Sequence, residues 1–225
     1  MPLESHLKLD ASVFDPDNVP ANINQFNGVI RTLTKDAPSW DEVGVEKYRE
    51  MRRKGETAFP APPVLPDGHD ITIPSRDKTL QIPCRLFYPS TNKKTAENPT
   101  PKTKGVFAHI HGGGWVLFDH KSTDVLLQFY ADQTGCACIS IGYRLAPEDP
   151  WPAGVEDCED ACAWLADNAV EEFGGPLAFI GGEVCYHFFF FNFQSKDRWE
   201  PEMPNNWSAF PKLAHGTALQ KTPTL

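Results

Sequence analysis

Three glycines in a row, Gly112-Gly113-Gly114, lie between His111 and Trp115 and follow the apolar, β-prone run Gly105-Val106-Phe107-Ala108. A glycine has no Cβ to block a close approach. A strand that ends in consecutive glycines can therefore aim backbone N–H groups at a developing oxyanion. Stabilising that oxygen is one half of an acyl-transfer site. The other half is a nucleophile, a base that activates it and an acid that orients the base. Ser195, Asp197 and His215 occur in a suitable order, and Ser208 is a second hydroxyl. Neither serine stands in a G-x-S-x-G turn, which lifts a hydroxyl out of a strand-to-helix bend, so both read as ordinary tail residues. Cys185 carries a thiol, but nothing around it in the sequence would lower its pKa. His109 and His111 alternate along the expected strand and read as structural. Glu183 takes no catalytic role in this reading.

Further on, Tyr143-Arg144-Leu145-Ala146-Pro147-Glu148 is followed by Pro150-Trp151-Pro152-Ala153-Gly154-Val155-Glu156-Asp157. With the His-Gly-Gly-Gly loop, these stretches resemble the hormone-sensitive-lipase-like branch of the α/β-hydrolases over roughly residues 65 to 183. The resemblance implies an α/β fold, here the N-terminal part of a mostly parallel sheet flanked by helices and incomplete at the C-terminus. It also implies hydrolysis of small acyl carboxylic esters by a Ser–Asp/Glu–His triad, with no cofactor and no metal. On this reading Gly113 and Gly114 are the oxyanion donors, His111 and Gly112 shape the loop, and the amide of Cys185 is the third donor. The chain departs from the pattern at Gly182-Glu183-Val184-Cys185-Tyr186, where Val184 holds the serine position and Tyr186 the last glycine of the elbow. In the family the acid and histidine come after the elbow, and no matching region follows here. An inactive chain of esterase lineage is therefore expected. The alternative is a non-catalytic ligand-binding protein on the same scaffold, and a third reading is an incomplete product with no function of its own.

The change at Val184 has a candidate genetic origin. Val-Cys can be encoded GTA-TGT, a common intron 5′ splice signal, and the phenylalanines from Phe188 to Phe191 imply thymine-rich codons. Translated intron, or another reading-frame fault, is the expected source of the tail; the competing reading is a genuine truncated paralogue with a divergent tail. The partner implied is a small-molecule ester or ligand; the sequence gives no oligomeric state.

The elements that must position the loop follow from pattern. Among 225 residues the formal net charge is −9 and the pI about 5.2, which argues against a nucleic-acid or anionic-membrane partner. No basic-then-apolar leader and no bilayer-length apolar run is read, so a cytoplasmic location is expected. The six cysteines fit reduced core positions, with Cys136 and Cys138 on one strand face and Cys158 and Cys162 one helical turn apart. Three regions are expected: 1–64, cap-like helices and linker; 65–183, a partial hydrolase domain; and 184–225, a disordered tail outside the family pattern. A helix should run from the Ser39–Glu42 capping box to Lys54. Strands are expected at 69–73, 80–88, 105–110, 136–141 and 177–180, with no strand later. A helix over 122–133 should pack through Val125, Leu126, Phe129 and Tyr130. A second, opened by Trp151-Pro152, should pack through Val155, Cys158, Cys162, Leu165 and Ala169. A sheet that stops at the fifth strand would expose a central edge and favour aggregation.

Overall fold

β3 (Val106–Ile110) and β4 (Ala137–Ile141) are apolar except at His109 and Ser140, because both faces of the strands are covered. The computed structural model describes residues 10, 12, 15–76 and 78–184, plus the short strands at 187–188 and 191–192. The chain divides into two compact units, Met1–Ala61 and Pro62–Leu225.

In the larger unit the sheet order is β1-β2-β4-β3-β5-β6, with β1 at His69–Pro74, β2 at Gln81–Phe87, β5 at Leu177–Val184 and β6 at His187–Phe188. β7 (Phe191–Asn192) also pairs with β5. The sheet is mixed: β3 runs parallel to β4 and β5, whereas β1–β2, β2–β4, β5–β6 and β5–β7 are antiparallel. The helices of this unit are α4 (Asp124–Thr134) and α5 (Ala153–Phe173). Alternation along the strands sends Val106, Ala108, Ile139 and Ile141 into one core with Cys158, Ala161, Leu165 and Ala169 of α5. Phe107 and Cys138 point the other way, into a second core with Leu127 and Ala131 of α4. Gly135 and Gly174 end the two helices in left-handed conformations, φ 75° and 76°. Cys84, Cys136, Cys138 and Cys158 are buried free thiols, and Cys162 is partly buried. Burial pushes the thiols of Cys84 and Cys162 up to about 12, which keeps them protonated and unreactive.

Four expectations are corrected. α4 does not pack through Val125 and Phe129, which are 53% and 55% exposed; its buried residues are Asp124, Leu127 and Ala131. Small Ala131 lets the helix lie close to the sheet, which the larger apolar residues would prevent. Val155 is likewise outside the core of α5, whose buried side also includes Asp157, Asp160 and Ala161. The strand expected to end at Ile180 continues to Val184, because the aromatic block supplies β6 and β7 as antiparallel partners on β5.

In the smaller unit the helices are α1 (Ala21–Thr34), α2 (Trp40–Val43) and α3 (Val45–Lys54). The Ser39–Glu42 capping box forms, with the Ser39 amide donating to the Glu42 carboxylate at 3.3 Å. The single helix expected from there to Lys54 is broken at Gly44, whose φ of 87° no continuous right-handed helix accommodates. That is the fourth correction. Among the described residues, no helix is long and apolar enough to cross a membrane.

Candidate functional site

The glycine loop leaves the C-terminal end of β3 and turns sharply. Gly113, Gly114 and Trp115 have φ of 112°, 64° and 63°, and the Gly113 carbonyl accepts from the amides of Val116 (3.2 Å) and Leu117 (2.8 Å). A Cβ at Gly113 would strike the Leu117 carbonyl, so this turn requires glycine twice over, by conformation and by space. Among the described residues, the amides of Gly113 and Gly114 have no intramolecular acceptor, and Gly114 is exposed.

His111 orients the first of these donors. Its Nδ1 lies 2.8 Å from the Gly112 carbonyl oxygen, which can only accept, so Nδ1 carries the proton. The Gly112 carbonyl and the Gly113 N–H share one planar peptide and point in opposite directions. Holding the first toward His111 therefore aims the second away from it. Burial pushes His111 down to about 4, and the ring is neutral at physiological pH. Its Nε2 is buried without a hydrogen-bond partner among the described residues.

The second sequence motif braces the first. Tyr143 stacks on His111 with ring centroids 4.2 Å apart, and its hydroxyl donates to the His111 carbonyl at 2.6 Å. Trp115 leans on Tyr143 at 4.9 Å, and the Ala146 amide donates to the Trp115 carbonyl at 2.9 Å. Arg144, next in sequence, is fixed by Asp157 of α5. The carboxylate accepts from the Arg144 backbone amide (2.8 Å) and from Nε and Nη2 (2.9 and 2.8 Å). Gly154 lets the helix approach, since a Cβ there would lie 2.6 Å from the Arg144 carbonyl and 3.2 Å from both aromatic rings. The residues of the long motif thus build a back wall for the glycine loop.

The position due for the nucleophile lies beside that loop. Gly112 packs on Glu183, with a hypothetical Cβ 2.9 Å from the Glu183 carbonyl oxygen, and Gly182 pairs with Ile110. Val184 is the last residue of β5 and pairs antiparallel with His187 of β6, so the position where an elbow would begin is strand. Cys185, Ser195, Asp197, Ser208 and His215 lie outside the described residues. His109 is buried in the row of side chains behind the loop.

One buried arrangement was missed in the sequence. Arg85 of β2 and Asp124 of α4 form a buried ion pair at 2.9 Å. The Asp124 carboxylate also accepts the Leu65 amide at 2.9 Å, and Arg85 donates to the Leu65 carbonyl at 2.7 Å. Their separation in the sequence hides the pairing, and a charged residue opening a helix reads locally as a dipole contact.

Comparison with known proteins agrees with this geometry. The model of a family described as having the alpha/beta hydrolase fold matches residues 107–184. The carboxylic ester hydrolase LipN of Mycobacterium tuberculosis is 36% identical over 174 residues, covering 76% of this chain and 43% of that protein. An arylesterase of Saccharolobus solfataricus is 32% identical over 126 residues, covering 56% of this chain and 38% of that protein. Among solved structures, a hyperthermophilic esterase from the archaeon Pyrobaculum calidifontis superposes with a TM-score of 0.52 at 26% identity, covering 74% of this chain and 49% of that one. The chain thus spans less than half the length of these relatives. With the glycine loop, its tyrosine brace and the β3–β5 pairing all in place, the chain belongs to the α/β-hydrolase fold family, in its hormone-sensitive-lipase-like branch.

Proposed function

We propose that residues 106–184 are the oxyanion half of a serine-type carboxylic-ester hydrolase site, and that this chain, with Val184 in place of the hydroxyl, does not turn esters over. The carbonyl oxygen of a small acyl ester would sit against the amides of Gly113 and Gly114, with Trp115 and Phe118 at the edge of the loop. The observation that carries the reading is the pair of glycine amides without an acceptor among the described residues, the first aimed away from the ring by His111, on a loop braced by Tyr143. Donors of this kind stabilise charge that appears only in the transition state, so they accelerate a reaction once a nucleophile is present. Valine offers no such atom, and removing a triad nucleophile costs about 10⁶-fold in turnover.

A second reading, a binder of neutral carbonyl ligands, draws on the same amides, because the loop is intact although the serine is absent. Assay of the purified chain on p-nitrophenyl acetate and butyrate separates the two from an active enzyme. The expected rate is that of buffer alone. Turnover that vanishes in Ser195→Ala or Cys185→Ala would reject the proposal. Saturable binding of a short-chain amide or ester without turnover would favour the second reading.

A further inference from the structure

Two large residues just after the glycines take a backbone conformation that bulky side chains avoid. Trp115 and Phe118 have φ of 63° and 66°, in the left-handed region that glycine enters freely and a Cβ crowds. For Trp115 the cost is offset close by, since its ring leans on Tyr143 and its carbonyl accepts the Ala146 amide. Phe118 is set differently. It is 39% exposed, so a good part of its apolar surface stays uncovered and burial offsets less of the cost.

A strained conformation persists where the chain on both sides dictates it. Before Phe118, the Leu117 amide donates to the Gly113 carbonyl at 2.8 Å and ties the residue to the turn. After it, the Asp119 amide donates to Ser122 Oγ at 3.1 Å, and the Asp119 carboxylate accepts from that hydroxyl at 2.9 Å and from the Lys121 amide at 3.0 Å. The ring is thereby set against the first glycine donor: a Cβ built on Gly113 would lie 3.0 Å from Phe118 Cδ2. Glycine at 118 would make the same turn without strain, so the fold alone does not call for an aromatic side chain there.

We propose that Phe118 determines specificity at this loop: its ring is the apolar platform for the group attached to a ligand's carbonyl carbon, and it selects neutral carbonyl compounds with a flat aromatic substituent over those with a methyl group. The proposal rests on the reading of the Gly113 and Gly114 amides as donors to a carbonyl oxygen. An oxygen held by the Gly113 amide brings its carbonyl carbon, and the substituent on it, beside the residue that the Phe118 ring already touches. Two aromatic rings in offset or edge-to-face contact gain more than the area they bury, and a methyl group gains no such increment.

The test is NMR titration of the full chain, isotope-labelled, with N-methylbenzamide and N-methylacetamide, which share one amide group and differ in the substituent. Both probes should shift the Gly113 and Gly114 amides, and N-methylbenzamide should bind about fivefold more tightly. In Phe118→Gly that advantage should fall below about twofold, with N-methylacetamide binding within about twofold of wild type and the spectrum still dispersed. Phe118→Tyr, which keeps the ring, should keep the advantage. Equal affinity for the two probes in wild type, an advantage that survives Phe118→Gly, or one lost in Phe118→Tyr would overturn the proposal while the donor reading stands. Loss of the dispersed spectrum in Phe118→Gly would also overturn it, because the ring would then be part of the fold. Glycine amides that respond to neither probe would instead overturn the donor reading, and this proposal with it.

Discussion

Replacing Asp124 with alanine should destabilise the larger unit by about 3 kcal/mol, a large fraction of the stability of an ordinary domain. Arg85 and Asp124 side chains are 6% and 0% exposed, and Arg85 reaches the carboxylate through Nη2 at 2.9 Å and Nε at 3.3 Å. The substitution leaves a buried guanidinium without its main partner and orphans the Leu65 amide. Breaking a buried pair from one side costs about 3–5 kcal/mol. The lower figure applies because Arg85 keeps a bond to Asp70 at 2.9 Å and one to the Leu65 carbonyl. Asp70 is 58% exposed, so it screens poorly for a buried cation and does not replace Asp124. With a denaturant slope of about 1–3 kcal/mol per molar urea, the unfolding midpoint should fall by about 1–3 M at unchanged slope. Asp124→Asn, which still accepts the Leu65 amide, should lose less. A loss under about 1 kcal/mol in Asp124→Ala would refute the reasoning, because it would mean that Asp70 or solvent compensates the arginine.

His111 should make stability fall in mild acid. Its folded pKa of about 4 lies below the ordinary histidine value of 6.5 that holds in the unfolded chain, so on acidification the unfolded state takes up the proton first. Its contribution is fully present above pH 6.5 and is lost as pH falls toward 4; between pH 7 and pH 5 the loss is about 2 kcal/mol, and urea unfolding of His111→Phe should lack that part of the pH dependence. Gly154→Ala raises helix propensity by about 1 kcal/mol but drives a methyl against the Arg144 carbonyl, so a net loss of about 1–2 kcal/mol is expected in the same assay. Phe129→Lys, at an exposed position in the apolar groove formed with Pro63 and Leu126, should raise the soluble fraction on concentration with the thermal midpoint within about 1 °C of wild type.

What could be read in the sequence was local. The apolar runs of β3 and β4, the glycines at 55, 135 and 174 that close helices, and the glycine loop all announce themselves through neighbouring residues. The face of α4 did not, and in α5 the stripe of Cys158, Cys162, Leu165 and Ala169 was legible while Val155 was misplaced. Hydrophobic periodicity favours the large residues Val125, Phe129 and Val155, whereas close helix–sheet packing selects Leu127, Ala131 and Ala161. Burial of Asp124 and Asp157 was invisible for another reason: each is compensated by an arginine that only the tertiary fold brings near. The contact between His109 and Glu183 was hidden in the same way, because the two lie on different strands. Pairing of β6 and β7 with β5 could not be foreseen from an aromatic block without a strand period.

The central claim is that the oxyanion donors are in place and the nucleophile is not. Its most direct measurement is the rate of p-nitrophenyl butyrate hydrolysis by the purified chain and by Val184→Ser. Both should equal the buffer rate, because a hydroxyl at the end of β5 gains neither an elbow nor a base among the described residues. Saturable turnover by the unmodified chain, lost in Gly113→Ala but retained in a distant surface variant such as Phe129→Lys, would contradict the claim.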